Sequence, residues 1–232
     1  MKIGVMIPSY LEGENLGELT KRLIKALEDI TKNFNILYVI QGDDGSKEMI
    51  ESLNDERVNF LYFSNPLGVA KAFITGFSAI LNDVDYIITM DADLNHQPEE
   101  IKNLWKCLEE KNADITIGSR YIKGGVVIGM PIWKAFLSRF MNKIINIFSN
   151  IKVADKTSGF RIYKPSALKY IIENIKADNF EFYPEVIMLA NNHGFTFAET
   201  PITFKFRVKG KSKMYKMQTI IGYLKIFMKK II

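Results

Sequence analysis

The feature that most constrains the fold is a regular alternation of apolar runs and amphipathic stretches along the first half of the chain. Five apolar runs have the length and residue content of buried strands: KIGVMIPSY, NILYVIQ, VNFLYFS, DYIITMD and ADITIGSR. Amphipathic stretches with helical spacing separate them, over about residues 16–32, 47–53, 68–81 and 98–111. This order predicts an α/β fold in which helices flank a Rossmann-like, mostly parallel central sheet.

Length and composition indicate one compact domain of an ordinary globular protein. The chain has 232 residues, of which 47% are hydrophobic and 25% are charged. The first ten residues lack the apolar core of a secretory signal, and no apolar run approaches the roughly 18 residues of a membrane-spanning helix. The single Cys107 cannot form an intrachain disulfide and is interpreted as a helix residue. We therefore expect a protein of the reducing cytoplasm.

Polar residues unusual for a core follow the predicted strands at the points where they end. Ligands of open parallel sheets bind beyond the carboxyl ends of the strands. The candidates at four such ends are Pro8 and Tyr10, Asp43 and Asp44, Asp91 and Asp93, and Ser119 and Arg120. We expect these four strand ends to meet in one crevice.

Asp91 and Asp93 are the strongest candidates for a metal site. In extended backbone, side chains two residues apart point the same way, about 6 to 7 Å from each other. Mg²⁺ and Mn²⁺ take one or two protein carboxylates and complete their shell with water and phosphate oxygens. Without a compensating cation, such a pair would repel itself. His96 is expected to cap the next helix rather than bind the metal.

Five polar motifs follow one another along the chain: PSYLEGENL, GDDGS, MDADLNHQP, GSRY and TSGFR. Taken in this order, they resemble the family-2 glycosyltransferases with the GT-A fold, and specifically the dolichyl-phosphate mannosyltransferase-like branch. The resemblance implies a catalytic domain over residues 1–213, followed by a basic amphipathic helix over residues 214–232. Processive polysaccharide synthesis is disfavoured, because the chain lacks the Q-x-x-R-W motif of that branch.

The resemblance also implies a set of residues for the sugar-nucleotide donor. The matched positions are Pro8, Tyr10, Glu12, Asp43, Asp44, Asp91, Ala92 and Lys213. Asp91 and Asp93 match the metal motif, with Mg²⁺ or Mn²⁺ as the cofactor. Arg207 and Lys213 resemble a loop that folds over the diphosphate, where cations would stabilise the charge that develops on the leaving group.

On the acceptor side, the resemblance implies a phosphate site built from cations. The matched positions are Arg120, Lys134, Arg139 and Ser158, and the predicted catalytic residues are Asp93, Arg120 and Arg207. Arg161 is a further cationic candidate, or else a structural partner of Asp155. Two departures stand out: Lys134 occupies a place where Arg is expected, and Asn95 one where Gln is common. A Lys lacks the planar fork of Arg, so its phosphate contact is less directional.

The implied reaction is inverting transfer of a hexose, mannose from GDP-mannose, to dolichyl or polyprenyl phosphate at the cytoplasmic face of the membrane. A lipid phosphate is an anion at neutral pH and needs positioning rather than a general base. The alternatives are UDP-glucose or another sugar nucleotide as donor, or a glycan hydroxyl as acceptor, with Asp155 or Glu185 as the base. A basic binding module without catalysis would explain the tail but not the five motifs.

The end of the chain is strongly basic and amphipathic. Residues 200–232 contain nine Lys or Arg and no Asp or Glu, whereas the rest has 22 basic against 26 acidic residues. Residues 133–148 and 217–231 both repeat apolar side chains at helical spacing. We expect the first helix to cover the sheet and the last to lie peripherally on a membrane. The expected partners are a sugar nucleotide, polyprenyl phosphate and a membrane-anchoring subunit, but no nucleic acid.

Overall fold

The computed structural model describes residues 1–149 and 151–206. The strands are β1 (Ile3–Tyr10), β2 (Phe34–Gln41), β3 (Val58–Phe63), β4 (Tyr86–Thr89), β5 (Ile115–Ser119), β6 (Val126–Ile128), β7 (Arg161–Tyr163), β8 (Phe197–Pro201) and β9 (Thr203–Lys205). Seven of them form one sheet in the order β3-β2-β1-β4-β7-β5-β8, and β6 pairs with β9 in a second, two-stranded parallel sheet. The predicted mostly parallel α/β sheet is therefore confirmed.

The helices are α1 (Gly13–Glu28), α2 (Ser46–Ser52), α3 (Val69–Ile80), α4 (Ile101–Lys111), α5 (Ile132–Ser149), α6 (Pro165–Asn174) and α7 (Phe182–Asn192). A short 3₁₀ turn at Pro98–Glu100 leads into α4. The four helices predicted between the first five strands are all present, with ends that differ by a few residues from the predicted ones. Local apolar spacing was sufficient for these elements because each buries one face.

Two apolar clusters form, one on each face of the sheet, because side chains alternate along every strand. In β1, Ile3, Val5 and Ile7 pack into the cluster that includes α1 and α4, whereas Met6 packs into the cluster that includes α3, α6 and α7. Both faces are covered, so the strands read as continuous apolar runs in the sequence. The polar groups at the strand ends are the exceptions to this pattern.

Strand β7 runs antiparallel between β4 and β5, an arrangement that the sequence did not predict. Thr89 pairs with Arg161, so β7 begins at the edge of the sheet where β4 ends. The segment that precedes β7 therefore lies at the carboxyl ends of the parallel strands. This topology brings Asp155–Gly159 to the same edge as the residues that follow β4 and β5.

Helix α5 does not cover the sheet as expected. Ile132 is 87% exposed, Phe136 69% and Phe140 47%, whereas Met141 and Ile145 are buried. The apolar stripe is thus divided between a buried part and an outward-facing part. Among the described residues, no helix combines the length and the hydropathy needed to cross a bilayer. The predicted residues Arg207 and Lys213, and the amphipathic helix over residues 214–232, lie outside the described part of the chain.

Candidate active site

A cavity of about 380 Å³ lies at the carboxyl ends of the parallel strands, where the crevice was predicted. The predicted site residues that line it are Pro8, Tyr10, Glu12, Asp91, Ala92, Asp93, Arg120, Lys134 and Ser158. Asp43, Asp44 and Arg139 are exposed and do not line it. The ends of β1, β2, β4 and β5 therefore contribute to one site, that of β2 through Gln41, and helix α5 forms part of the wall.

The turn between β1 and α1 contributes Glu12 to the wall of the cavity. The Asp44 carboxylate accepts hydrogen bonds from the Gly13 N–H at 2.8 Å and from the Ser46 N–H at 3.2 Å. A Cβ atom at Gly13 would lie 2.8 Å from the Asp44 carbonyl oxygen, so only glycine fits this close approach. In the structure Asp44 thus holds two loops together, and its predicted contact with the nucleotide base stays a prediction. Gln41, which also lines the cavity, accepts a hydrogen bond from the Leu67 N–H at 2.7 Å.

The carboxylate pair follows β4 in a tight turn. Leu94 has a φ of 59°, a left-handed conformation that is uncommon for a non-glycine residue. Beyond this turn, Asn95 donates from its N–H to one Asp93 oxygen at 3.1 Å and from its side-chain amide to the other at 2.7 Å. Asp93 is 8% exposed, while the Asp91 side chain is 30% exposed. The turn therefore presents one buried, oriented carboxylate and one that is open to the cavity.

These residues fit a hard divalent cation. Asp91 and Asp93 supply the oxygen ligands that Mg²⁺ and Mn²⁺ prefer. The side-chain oxygen of Asn95 is buried and has no hydrogen-bond partner among the described residues, so a polar atom beside the pair is unsatisfied there. Within the described residues there is no group of three or more His, Cys, Asp or Glu side chains that could enclose a metal. The arrangement suits an open site in which water and a ligand's phosphate oxygens complete the shell.

His96 does not cap the following helix, and that expectation was wrong. It is 1% exposed, and its Nδ1 lies 3.4 Å from the Asp91 backbone nitrogen and 3.6 Å from the Asp91 carboxylate. Its ring packs against Phe160 and Phe204, at centroid distances of 5.2 and 5.4 Å. Burial lowers the pKa of His96 to about 4. The neutral ring accepts a hydrogen bond from the Asp91 N–H at Nδ1 and thereby stabilises the turn.

Tyr183 on α7 contacts the same carboxylate from the other side. Its hydroxyl donates to Asp91 Oδ1 at 3.4 Å. The pKa of Tyr183 is raised, mainly by burial and secondly by the nearby negative charge of Asp91. Gly159 leaves room for this contact, because a Cβ there would lie 3.0 Å from Asp91 Oδ1 and 3.0 Å from the Tyr183 ring. Sequence reasoning missed Tyr183 because α7 is distant from β4 along the chain.

Arg120, which also lines the cavity, forms a buried ion pair with Asp155. The guanidinium donates to the Asp155 carboxylate from Nε at 2.7 Å and from Nη2 at 2.8 Å. Nη2 also donates to the Thr157 hydroxyl at 2.8 Å. Burial opposes both charges, but their mutual attraction outweighs it, so the pKa of Asp155 is lowered and that of Arg120 is raised. Nη1 makes no hydrogen bond to the described residues. Nη1 can therefore donate a hydrogen bond to an anionic ligand.

This pairing corrects two hypotheses drawn from the sequence. Arg161 is not the partner of Asp155; it is buried and donates to the carbonyls of Lys156 and Tyr183, at 2.8 and 3.1 Å. Asp155 is fully buried and engaged by Arg120, so it is poorly suited to accept a proton from a substrate. Glu185, the other candidate base, does not line the cavity, and its carboxylate accepts the Lys176 N–H at 3.1 Å.

Helix α5 supplies the wall beside Arg120. Lys134 and Ser138, one turn apart, both line the cavity, and the Ser138 hydroxyl lies 2.9 Å from that of Thr157. The Asn142 side chain ties the helix to this loop by donating to Thr157 Oγ1 at 3.4 Å and accepting the Lys156 N–H at 2.8 Å. Sequence reasoning missed Ser138, although its spacing from Lys134 was a usable signal.

Comparison with known proteins identifies the family. The profile described as "Glycosyl transferase family 2" matches residues 4–172. The polyprenol monophosphomannose synthase of Mycolicibacterium smegmatis is 31% identical over 219 residues, which cover 90% of this chain and 80% of that protein. The dolichol-phosphate mannosyltransferase of Pyrococcus furiosus is 33% identical over 229 residues, or 97% of this chain. The chain spans only 62% of the length of the Pyrococcus protein.

Solved structures agree with the fold. Glucosyl-3-phosphoglycerate synthase from Mycobacterium tuberculosis, crystallised with Mn²⁺, UDP and glucosyl-3-phosphoglycerate, matches with a TM-score of 0.69 at 11% identity. The match covers 97% of this chain and 77% of the synthase chain. Staphylococcus aureus TarS 1–349 with UDP-GlcNAc matches with a TM-score of 0.69 at 16% identity. That match covers 100% of this chain and 66% of the TarS chain. The chain therefore belongs to glycosyl transferase family 2 and is a glycosyltransferase with the GT-A fold.

Proposed function

We propose that this glycosyltransferase transfers a hexose, mannose from GDP-mannose, to the phosphate of a dolichyl or other polyprenyl phosphate. The observation that carries the proposal is that two carboxylates and two cations line one cavity. The carboxylates are those of Asp91 and Asp93, and the cations are Arg120 and Lys134. A metal-bound diphosphate suits the carboxylates, which we call the donor end, and a second, metal-free phosphate suits the cations, which we call the acceptor end. The names of the two relatives support mannose as the sugar and a polyprenyl or dolichyl phosphate as the acceptor.

The acceptor end favours a phosphate nucleophile over a hydroxyl. Arg120 keeps its charge while bound to Asp155, and its Nη1 faces no protein acceptor among the described residues. A phosphate monoester has a second pKa of about 6, so it carries its own negative charge and needs no general base. One of its oxygens attacks the anomeric carbon as the bond from that carbon to the nucleoside diphosphate breaks, which inverts the configuration. Arg120, Lys134, Ser138 and Ser158 would orient the attacking group.

Asp91 and Asp93 would hold the Mg²⁺ or Mn²⁺ ion of this reaction. When bound there, the ion would neutralise charge on the leaving diphosphate. The protein contributes the fixed positions of its ligands: Asn95 orients the Asp93 carboxylate, while His96 and Tyr183 flank Asp91. The Mn²⁺ in the structure of the Mycobacterium tuberculosis enzyme supports a divalent metal here.

We further infer that the chain meets its lipid acceptor as a peripheral protein at the cytoplasmic face of the membrane. The outward part of α5 exposes Ile132, Phe136 and Phe140, while Lys134 and Ser138 on the same helix line the cavity. Residues 115–154 contain six Lys or Arg and no Asp or Glu. Exposed apolar side chains among cations suit the interface of an anionic bilayer. One helix would then contact both the lipid surface and the phosphate.

A partition assay tests the proposal. Purified protein, Mn²⁺, phosphatidylglycerol vesicles and a polyprenyl phosphate are incubated separately with labelled GDP-mannose, UDP-glucose and UDP-N-acetylglucosamine, and label is counted in the organic phase. We expect label from GDP-mannose in the wild-type protein and none with Asp93→Asn. Label from a UDP-sugar alone would overturn the assigned donor. The absence of label with every donor, despite metal-dependent nucleotide binding, would overturn the lipid-phosphate acceptor and favour a hydroxyl.

A further inference from the structure

Strand β9 is held at both edges by segments that frame the cavity. On one edge the Thr203 N–H donates to both carboxylate oxygens of Glu100, at 2.8 and 3.1 Å, and the Lys205 N–H donates to the Asn95 carbonyl at 2.9 Å. On the other edge β9 pairs with β6. Because Asn95 also binds the Asp93 carboxylate, the position of the strand is tied to the loop that carries the carboxylate pair.

Two phenylalanines alternate along this segment and line the same cavity. The Phe204 ring is 6% exposed and lies 5.4 Å from the His96 ring and 5.2 Å from the guanidinium carbon of Arg120. The centroid of the Phe206 ring lies 4.8 Å from the ammonium nitrogen of Lys134. Each of the two cations at the acceptor end therefore contacts one of these rings.

A ring contact orients a cation without neutralising it. The negative face of the aromatic ring attracts the charge, yet adds no countercharge that would compete with an anionic ligand. Arg120 is fixed in addition by its ion pair with Asp155. A lysine side chain has a long, flexible stem, and its rotamer entropy opposes a fixed position of the ammonium group. The Trp133 ring, 5.4 Å from the same ammonium, restricts it further.

We propose that Phe206 is a positioning residue for the acceptor phosphate, an inference that rests on the function proposed above. Its ring holds the Lys134 ammonium at the acceptor end of the cavity, so that Lys134 and Arg120 receive one phosphate group together. The Phe206 N–H donates to the Ile128 carbonyl at 2.8 Å, which fixes the backbone that carries the ring. A lysine benefits from such support because it lacks the planar, pre-organised fork of an arginine.

The test measures initial transfer rates against polyprenyl phosphate concentration at a fixed amount of vesicles. Phe206→Leu retains apolar bulk but removes the aromatic face, and Phe206→Tyr retains both. Phe34→Leu is the matched control, because the Phe34 ring also contacts a cation, the Arg57 guanidinium, at 4.8 Å. Phe34 is the first residue of β2, at the end of that strand away from the cavity. Calorimetry with GDP and Mn²⁺ measures the donor site independently.

We expect Phe206→Leu to raise the KM for polyprenyl phosphate about five-fold, as a cation–π contact predicts. The Kd of GDP with Mn²⁺ should change less than about two-fold, and Phe206→Tyr and Phe34→Leu should resemble the wild type within the same limit. In the Lys134→Met background, which itself raises the acceptor KM, Phe206→Leu should add nothing. That loss of effect is what action through Lys134 requires.

An unchanged acceptor KM in Phe206→Leu would overturn the proposal, as would an equal rise in Phe34→Leu or a full effect that persists in the Lys134→Met background. A purely structural role of Phe206 predicts the last of these results. If the wild-type protein transfers no label to polyprenyl phosphate, the proposed function fails first and this inference fails with it. Transfer by the wild type with no effect of Phe206→Leu refutes the inference alone.

Discussion

The guanidinium of Arg120 donates to both carboxylate oxygens of Asp155, at 2.7 and 2.8 Å, and both side chains are buried. Arg120 follows β5 and Asp155 precedes the antiparallel strand β7, so the pair joins the two strands that the sheet places side by side. It keeps a cation at the acceptor end of the cavity, where a partnerless buried charge would be costly.

We predict that Asp155→Asn lowers the free energy of unfolding by about 3 to 5 kcal/mol, because it leaves the Arg120 charge buried without its partner. The matched control is Asp55→Asn, whose partner Arg57 also lies 2.7 Å away but at the surface. That change should cost less than about 1 kcal/mol. Urea denaturation of the three proteins measures both values. Similar losses in the two variants would contradict the assigned energetic difference.

His96 predicts a specific dependence of stability on pH. Its pKa is about 4 in the folded state, against about 6.5 in an unfolded chain. Between these values the unfolded state binds a proton that the folded state does not, so stability falls as the pH decreases from about 6.5 to 4. Relative to His96→Gln, the wild type should lose about 3 kcal/mol over this window. Denaturant unfolding at several pH values, with a chelator present, measures it; parallel pH profiles would contradict the prediction.

The loop that carries the carboxylate pair is clamped by Arg22 on α1. Its guanidinium donates to both Glu99 oxygens, at 2.8 and 2.7 Å, and to Gln97 at 3.0 Å, and the Gln97 amide donates back to the Leu94 and Asn95 carbonyls. We predict that Arg22→Lys weakens Mn²⁺-dependent GDP binding about ten-fold, because the left-handed turn at Leu94 loses its brace.

Isothermal calorimetry with GDP and Mn²⁺ measures this effect. Arg57→Lys is the control, since Arg57 also donates to both oxygens of a carboxylate, that of Asp55, away from the cavity. Equal weakening in the two variants would indicate a general loss of stability instead of a displaced loop.

Removal of the metal or of its ligand should have the same consequence. We predict that Asp93→Asn, or a chelator added to the wild type, reduces glycosyl transfer by about 10³-fold, the scale of several kcal/mol of lost charge stabilisation. Asp85→Asn changes an exposed carboxylate that precedes β4, at the other end of the strand, and should retain full activity. Electron paramagnetic resonance of Mn²⁺ reports binding directly, and undiminished binding by Asp93→Asn would refute its role as a ligand.

The exposed part of α5 predicts lipid binding. Phe136, which is 69% exposed, should enter the interface of an anionic bilayer, so Phe136→Ser should weaken binding to phosphatidylglycerol vesicles about ten-fold. Tyr62→Ser, at an exposed aromatic residue of the edge strand β3, should have no effect. Vesicle sedimentation measures both. Equal binding by wild type and Phe136→Ser would exclude this face from the membrane contact.

Much of the donor end was predictable because its signals are local. The apolar alternation of β1 and β4 and the acids that directly follow β4 lie within short segments, and local spacing determines both the strands and the direction of the side chains. The parallel order of the strands then requires their carboxyl ends to share one edge. These local signals are sufficient to predict that Tyr10, Asp91 and Asp93 surround a single cavity, as they do in the structure.

The acceptor end depended on contacts between segments that are distant in the sequence. No local pattern indicates that Arg161–Tyr163 enters the sheet antiparallel, yet this insertion delivers Asp155 to Arg120 and so removes Asp155 from the candidate bases. Nor does helical spacing distinguish an apolar stripe that packs on a sheet from one that faces outward, as part of α5 does. The sequence by itself determined the elements and the chemistry at the strand ends. Only the tertiary structure decided which charges pair and which apolar face stays exposed, because both depend on long-range packing.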